Sequence, residues 1–292
     1  MHIFAIPIES PTSLSIKEYL RRQIGLSLSS WRKLKAEGEI LVNQMPVSPS
    51  SLLPPGCELT IRWFGERSQL KPAEMPLSIV FEDDALLIID KPAGILVHPS
   101  SLSNELTIAN AVVHYFQTQN QYWHFHPVHR LDRNTSGLLV IAKTPHVQHV
   151  LSQNDFSLQR KYLALVEGHP TPAEGQIDLP IARHPDSIIL RQISATGQSA
   201  CTRYRTLQTG PSHACLELEL LTGRTHQIRV HMSAIGNPLV GDDLYGGSTK
   251  FLARQALHSA CLSFPHPFTK KILSFQTPWP QDIAQIAADL LC

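Results

Sequence analysis

The sequence predicts an α+β fold in two parts, and three observations carry that prediction. Two pairs of short apolar runs, residues 79–82 with 86–90 and residues 201–207 with 214–221, have the length and alternation of strands joined by tight connections. Helical faces of apolar residues recur at residues 107–116 and 281–291. A polar stretch holding Pro72 and Pro76 and lacking any apolar period reads as a linker, which sets boundaries at residues 1–65, 66–77 and 78–292.

Composition narrows the classes. The 292 residues suffice for one large domain plus a small one, and 25 Lys and Arg against 24 Asp and Glu leave a net charge of +1. Whole-chain charge therefore gives no support for a nucleic-acid partner, and any basic surface must be local. Five cysteines, Cys57, Cys201, Cys215, Cys261 and Cys292, are odd in number and lack C-x-x-C spacing. That argues against a disulfide framework and a zinc site, and for a reduced, cytoplasmic setting. The first residues, MHIFAIPIESP, lack a basic n-region, and no stretch approaches the ~20 apolar residues of a membrane span, so neither export signal nor span is expected.

In the N-terminal part, Ser15 is placed to cap a helix with Ile16, Tyr19, Leu20 and Ile24 on one face, ended by Gly25. Ser27 or Ser29 opens a second helix with Trp31 and Leu34, and strands follow at residues 40–42 and 59–63. Between Ser13 and Gly38, six Lys and Arg stand against two Glu, a local charge of +4. Arg21, Arg22, Arg32, Lys33 and Lys35 form either a solvated helix surface or an RNA-gripping face.

In the larger part the strand at residues 86–90 exits through Lys91 and the rigid Pro-Ala-Gly that follows. The string HRLDRNTSG, residues 129–137, then sets one carboxylate, Asp132, between Arg130 and Arg133 and runs through Thr135, Ser136 and Gly137 into the buried strand 138–142. A lone aspartate before hydroxylic residues normally caps a turn, but nine specified positions exceed what a turn requires. His124, His126 and His129 invite a metal reading. No carboxylate or cysteine completes a ligand set and Pro127 suits a loop, so solvated loop histidines and no metal are expected.

A helix is expected at residues 145–154 and a strand at 160–167, where Tyr162 is either a core aromatic or a functional one. Residues 170–198 read as a loop-rich excursion with no assigned role. The segment LLTGRTHQIRVHMSAIGNPLVGDDLYG, residues 220–246, holds a helix expected over 225–235, with Arg229 one turn from His226 on one face. A strand follows in LHSACLSFPHP, and the closing helix is read as packing only.

HRLDRNTSG, KPAG at Lys91, RKYLALVEG with Tyr162 and GRTHQIR together resemble the signature segments of the RluA family of RNA pseudouridine synthases, over essentially the whole chain. Residues 13–63 resemble the small RNA-binding domain shared with ribosomal protein S-four. The resemblance implies an α+β catalytic domain on a mixed, largely antiparallel sheet, with Asp132 catalytic, Arg229 paired to it and Tyr162 stacked on the target base. It implies that Arg130 fills the space the base leaves, and that His129, Thr135, Lys91, Arg224 and His226 lie at the substrate. The implied partner is structured RNA, ribosomal RNA favoured and transfer RNA open, acted on by a monomer without a cofactor.

Those residue types suit that chemistry. Making pseudouridine breaks the bond from N1 to C1′, turns the uracil and joins C5 to C1′, so nothing is oxidised or hydrolysed. The sequence, correspondingly, offers no glycine-rich phosphate loop or dinucleotide fingerprint. An ionised carboxylate shielded from water is needed, and an adjacent guanidinium favours that charged form. The base must also leave its stack, at a cost of a few kcal/mol. Two other readings compete with this one. A kinase-like H-R-D loop is disfavoured by the inserted Leu131 and by the lack of G-x-G-x-x-G, V-A-I-K or D-F-G. A non-catalytic RNA-binding ribosome-assembly protein would have no need of Asp132.

Overall fold

A computed structural model describes residues 2–8, 14–63, 68, 70–99, 105–121, 123–153 and 158–292. The N-terminal part contains β1 (His2–Pro7), α1 (Ile16–Arg22), α2 (Leu28–Glu37), β2 (Glu39–Val42), β3 (Met45–Pro46) and β4 (Glu58–Trp63). The larger part opens with β5 (Ser78–Glu82), β6 (Leu86–Lys91), α3 (Ile108–Thr118), β7 (His126–Pro127), β8 (Ser136–Ala142), α4 (Pro145–Leu151) and β9 (Gln159–Glu167). It continues through β10 (Glu174–Asp178), β11 (Ile181–Arg183), β12 (Arg191–Ile193), β13 (Cys201–Thr209) and β14 (His213–Leu220). It ends with α5 (Gln227–Ala234), a single 3-10 turn at Asp243–Tyr245, β15 (Leu257–Pro265), β16 (Ile272–Gln276) and α6 (Gln281–Leu290).

The main sheet runs β10-β13-β14-β9-β15-β8-β6-β5, with β16 on β15 and β7 on β8. Its ladders are antiparallel except that β15 and β8 run parallel, so the fold is the α+β, mixed and largely antiparallel one expected. Both faces of the central strands are covered, which is why β8 is buried at all seven positions and reads as an unbroken apolar run. Leu87, Ile89, Leu139 and Ile141 face α3 and Phe116, while Leu86, Ile88, Leu138 and Val140 face the opposite core with Leu262 and Phe264.

The N-terminal part has its own sheet, β1-β4-β2-β3. Its first helix is closed by a capping box in which the Glu18 N–H donates to Ser15 Oγ (3.3 Å) and the Ser15 N–H donates to Glu18 Oε2 (3.1 Å). Ser27 caps the second, accepting from the Ser30 N–H at 3.0 Å. The second core is shared between the two parts: Ile24 and Leu26 join the cluster that holds Val147 and Leu151 of α4. The end of the linker is also held, since the Ala73 N–H donates to Asn110 O (3.2 Å) and Asn110 Nδ2 donates to Lys71 O (2.7 Å). Residues 66, 67 and 69 of that linker lie outside the described residues.

Several elements depart from expectation. β1 was not anticipated, and the expected excursion at 170–198 contains β10 on the main sheet plus a separate β11–β12 ribbon. Helix α5 starts at Gln227 rather than 225, because His226 takes a left-handed conformation (φ 58) that stops the helix there. Helix α4 ends at Leu151, and position 154 of the expected span lies outside the described residues. No helix among the described residues is long and apolar enough to cross a membrane.

Candidate active site

The loop carrying Asp132 connects β7 to β8, and contacts from four directions hold it. Lys91 is fully buried and its ammonium donates to the carbonyls of Pro92 (2.8 Å), Ile95 (2.8 Å) and Arg133 (3.0 Å). Arg133 O accepts the Gly94 N–H (2.9 Å), its Nε donates to Gly94 O (3.2 Å), and its guanidinium forms an ion pair with Glu105. Arg254 Nη1 donates to Asn134 O at 3.1 Å, and Gln255 Nε2 donates to Thr135 Oγ1 at 3.2 Å. His129 is buried with Nε2 accepting the Val140 N–H at 3.3 Å.

Gly137 closes the loop against the neighbouring strand. Its φ is +112, and a Cβ there would sit 2.3 Å from Ser259 O, so no other residue fits the parallel contact of β8 with β15. Ser259 in turn pairs with Tyr162 on β9. The register Gly137, Ser259, Tyr162 thus carries the end of the Asp132 loop across the sheet to the tyrosine.

Asp132, its side chain 24% exposed, faces the start of α5. Arg229 Nη1 lies 3.5 Å from Asp132 Oδ2, and His226 Nε2 lies 3.9 Å from Oδ1. Arg229 is anchored elsewhere: its Nε and Nη2 donate to the two carboxylate oxygens of fully buried Asp242, each at 2.7 Å, and its guanidinium stacks 4.9 Å above the Tyr245 ring. Burial works against the Arg229 charge, but the hydrogen bonds and charge of Asp242 outweigh it and raise its pKa above the ordinary arginine value.

His226 Nδ1 lies 2.8 Å from the Tyr245 hydroxyl, which also accepts the Arg191 N–H at 3.0 Å. Where that hydroxyl donates to Nδ1, the imidazole proton sits on Nε2, toward Asp132. Burial lowers the pKa of His226, with Asp132 opposing and Arg229 and Arg191 adding to the pull, so the ring is neutral at pH 7. Buried Gln227 fixes the turn before α5: it accepts from Thr222 Oγ1 (2.7 Å) and the Arg224 N–H (2.9 Å) and donates to Cys201 O (2.9 Å).

The resulting cleft is lined by Arg130, Asp132, Thr135, Tyr162, Arg224, His226 and Arg229 over a floor of Leu131, Leu220, Ile228 and Leu257. A carboxylate, a fixed guanidinium, a neutral imidazole and an aromatic ring meet there, with Asp132 as the acid on the wall. Residues 85–234, which carry all four groups, match the family described as RNA pseudouridylate synthase. Over 278 residues the chain is 38% identical to the Uncharacterized RNA pseudouridine synthase YjbO of Bacillus subtilis (strain 168), a match covering 94% of this chain and 98% of the relative. The chain belongs to the RluA family of RNA pseudouridine synthases. It is an isomerase that converts uridine to pseudouridine in RNA. The Ribosomal large subunit pseudouridine synthase D of Xylella fastidiosa (strain Temecula1 / ATCC 700964) is 36% identical, over 90% of this chain and 83% of its own. Among solved structures, Human RNA Pseudouridylate Synthase Domain Containing 4 superposes with a TM-score of 0.61 at 25% identity, covering 73% of this chain and 92% of that one.

Of the nine residues the sequence nominated at the catalytic site of this synthase, seven line the cleft and two do not. Lys91 and His129, also expected at the substrate, are buried: the Lys91 Nζ is turned to the carbonyls of Pro92, Ile95 and Arg133, and His129 Nε2 accepts the Val140 N–H of β8. Burial brings Lys91 down to about 7, the charge of Asp132 opposing and Arg254 adding, and pushes His129 down to about 3, helped by Arg160. The basic set lies apart on α1 and α2, with Arg21, Arg22, Arg32 and Lys35 exposed and Lys33 half-buried. His124 and His126 stack with ring centroids 5.8 Å apart. Among the described residues no group of three His, Cys, Asp or Glu is placed to hold a metal.

Sequence reasoning missed Asp242, Tyr245 and Arg254. The signal available for the first two was the GDDLYG string, whose acidic pair follows the glycine Gly241. A Cβ on Gly241 would fall 1.9 Å from Arg254 O, so that backbone approach places Asp242. Helix α6, read as packing only, does more: Asp282 accepts from Arg254 Nε (2.7 Å) and Nη2 (2.8 Å), and so steadies the arginine that holds Asn134.

Proposed function

We propose that this synthase acts on structured ribosomal RNA of the large subunit, with Asp132 as its catalytic carboxylate. The observation that carries the assignment is the convergence of Arg229 and His226 on Asp132, the acidic side chain lining the cleft. In this reading the fixed guanidinium of Arg229 keeps Asp132 ionised, the Nε2–H of His226 orients it, and Tyr162 offers the stacking face for an extruded uracil. Arg130, exposed at the rim, occupies the space the base leaves, while Thr135 and Arg224 complete the contacts.

The ribosomal assignment is supported by the relatives named for the large subunit, one of which aligns with 90% of this chain. The N-terminal domain, residues 1–65, serves as an RNA grip through Arg21, Arg22, Arg32, Lys33 and Lys35, joined by the linker 66–77 to a catalytic domain at 78–292. The enzyme works as a monomer in the cytoplasm, a setting supported by cysteines that are all free. Asp132→Asn tests the chemistry, because it keeps shape and removes charge. Pseudouridine formation should fall below ~1% of wild type while RNA affinity stays, since loss of a proton-transfer or covalent role costs at least ~10²-fold. Mapping pseudouridine across total RNA with and without the protein tests the substrate, and sites confined to transfer RNA would overturn the ribosomal reading.

A further inference from the structure

Beside the catalytic cleft lies a second groove, lined by Arg183, Arg191 and Arg224 together with Thr196, Gly197 and Gln198. We propose that this groove is an RNA subsite that holds phosphodiester oxygens of the strand flanking the target uridine. The proposal rests on RNA being the substrate and adds where a flanking stretch is gripped.

The first observation is a pairing of like charges. Arg183 and Arg191 stand directly opposite each other on the β11–β12 ribbon, an arrangement that destabilises a ladder by itself. Elsewhere this chain does the reverse. On β13 and β14, Arg203 faces Glu219 and Arg205 faces Glu217 in register, with ion pairs of 3.7 Å and 3.3 Å. Among the described residues no carboxylate comes within ion-pair distance of Arg183, Arg191 or Arg224. In a chain of net charge +1, three arginines in one groove with no carboxylate beside them among the described residues are a local concentration rather than a general basicity.

The second observation is that the groove is built. Arg191 Nη1 donates to the carbonyls of Ile189 and Leu190, each at 2.9 Å, and Arg224 Nε donates to Ser199 O at 3.0 Å. Each guanidinium is thus held by one nitrogen to main chain while its charge faces the groove, the pre-organised state that suits an anion. The wall is closed by main-chain bonds between Ile181 and Gln198, both at 2.9 Å, and a Cβ on Gly197 would fall 2.6 Å from the Ile181 carbonyl carbon. The ribbon is fastened to the catalytic cleft as well, because the Arg191 N–H donates to the Tyr245 hydroxyl that holds His226. Arg224 lines both groove and cleft, so a strand leaving the cleft passes the three guanidinium groups.

The test uses the full-length enzyme with Arg183→Gln and Arg191→Gln made separately, and Arg203→Gln on the charge-paired face as control. Arg224 is left intact because it belongs to the cleft. Binding to a structured ribosomal RNA fragment, followed at several salt concentrations, should lose about 0.7 to 0.9 from the slope of log K against log salt for each phosphate contact removed. In Arg183→Gln, KM should rise with kcat near wild type, and a minimal hairpin lacking the flanking strand should show neither effect. Among the described residues the Arg183 side chain makes no hydrogen bond, so its substitution leaves the fold intact and keeps the test valid if Arg191→Gln loosens the hairpin. Unchanged slopes in both variants, or an equal loss in Arg203→Gln, would overturn the subsite. Relief of inhibition by inorganic phosphate without a change in the RNA slope would also overturn it, as a free-anion site. Failure of the wild-type enzyme to make pseudouridine in any RNA would instead sink the function reading.

Discussion

Arg229 gives its two short hydrogen bonds, each 2.7 Å, to Asp242 and leaves Asp132 only a 3.5 Å contact. One guanidinium thus serves two carboxylates of different status, one fully buried and doubly hydrogen-bonded, the other part-exposed. In the role proposed for Asp132, a guanidinium bound equally tightly to it would occupy the oxygens that the chemistry needs. Asp242→Asn should therefore act on turnover, by letting Arg229 shift toward Asp132. A displacement of that order costs about 10²-fold in kcat, with KM for RNA near wild type, and breaking a buried pair from one side lowers stability by about 3 kcal/mol. Single-turnover rates and thermal melts check both, and an unchanged kcat would remove Asp242 from the catalytic arrangement.

Acid should release the Asp132 loop before it acts on the chemistry. His129 is held near a pKa of about 3 by burial, far below the ordinary value of 6.5, and its Nε2 accepts the Val140 N–H only while unprotonated. Between pH 6.5 and about 3 the unfolded chain binds a proton there that the folded one does not. Stability is therefore present above pH 6.5 and is lost as pH falls, at up to about 1.4 kcal/mol per pH unit for each such histidine. His126, His146 and His258, all lowered to about 4 by burial, add to the same window. His129→Gln supplies an acceptor that does not titrate, so melts from pH 7 to 4.5 should show a shallower fall than wild type. Parallel curves would show that His129 is not part of the acid response.

Much of this site was legible because its chemistry lies in short strings. Asp132 with Arg130, and Arg229 with His226, fall within a few residues of each other, and local spacing carries such groups. What holds them was not legible, because it depends on sheet order. Gly137 is required by Ser259, which becomes its neighbour only through the parallel pairing of β8 with β15. Asn134 is held by Arg254, and Arg254 by Asp282 on the final helix. Lys91 and His129 show the converse: a polar residue beside a reactive string looks solvent-facing in sequence, yet both turn inward to backbone groups. The strands of residues 170–198 were missed because their polar, proline-rich composition resembles a loop, and their order comes from pairing with β13 and with each other.

Tyr162 is at once part of the core and part of the cleft wall, at 4% exposure. Burial raises the pKa of its hydroxyl, which stays protonated at neutral pH. Tyr162→Phe should keep RNA affinity within a few-fold, because the ring face survives. Tyr162→Ala removes a stacking partner worth about 1–3 kcal/mol per base and also leaves a cavity costing about 3–5 kcal/mol of stability. Binding must then be measured well below the melting temperature of each variant. Equal affinities for Phe and Ala would take stacking out of the mechanism.

The N-terminal domain calls for a gentler test than deletion. Ile24 and Leu26 share a core cluster with Val147 and Leu151 of α4, so removing residues 1–65 would expose apolar surface on the catalytic domain and confound any loss of binding. Neutralising Arg21, Arg22, Arg32 and Lys35 to Gln avoids this, since all four are exposed and Trp31 and Leu34, which anchor α2, are untouched. If these side chains grip phosphates, the quadruple variant should melt like wild type and retain kcat on a minimal hairpin. Its affinity for the full structured RNA should fall, and the salt slope should drop by up to about 3, at roughly 0.7 to 0.9 per lost contact. The ion pair of Arg22 with Glu18, at 3.9 Å and exposed, is too weak to complicate the melt. An unchanged salt slope would leave the basic face a solvated helix surface, and the domain would lose its role as an RNA grip.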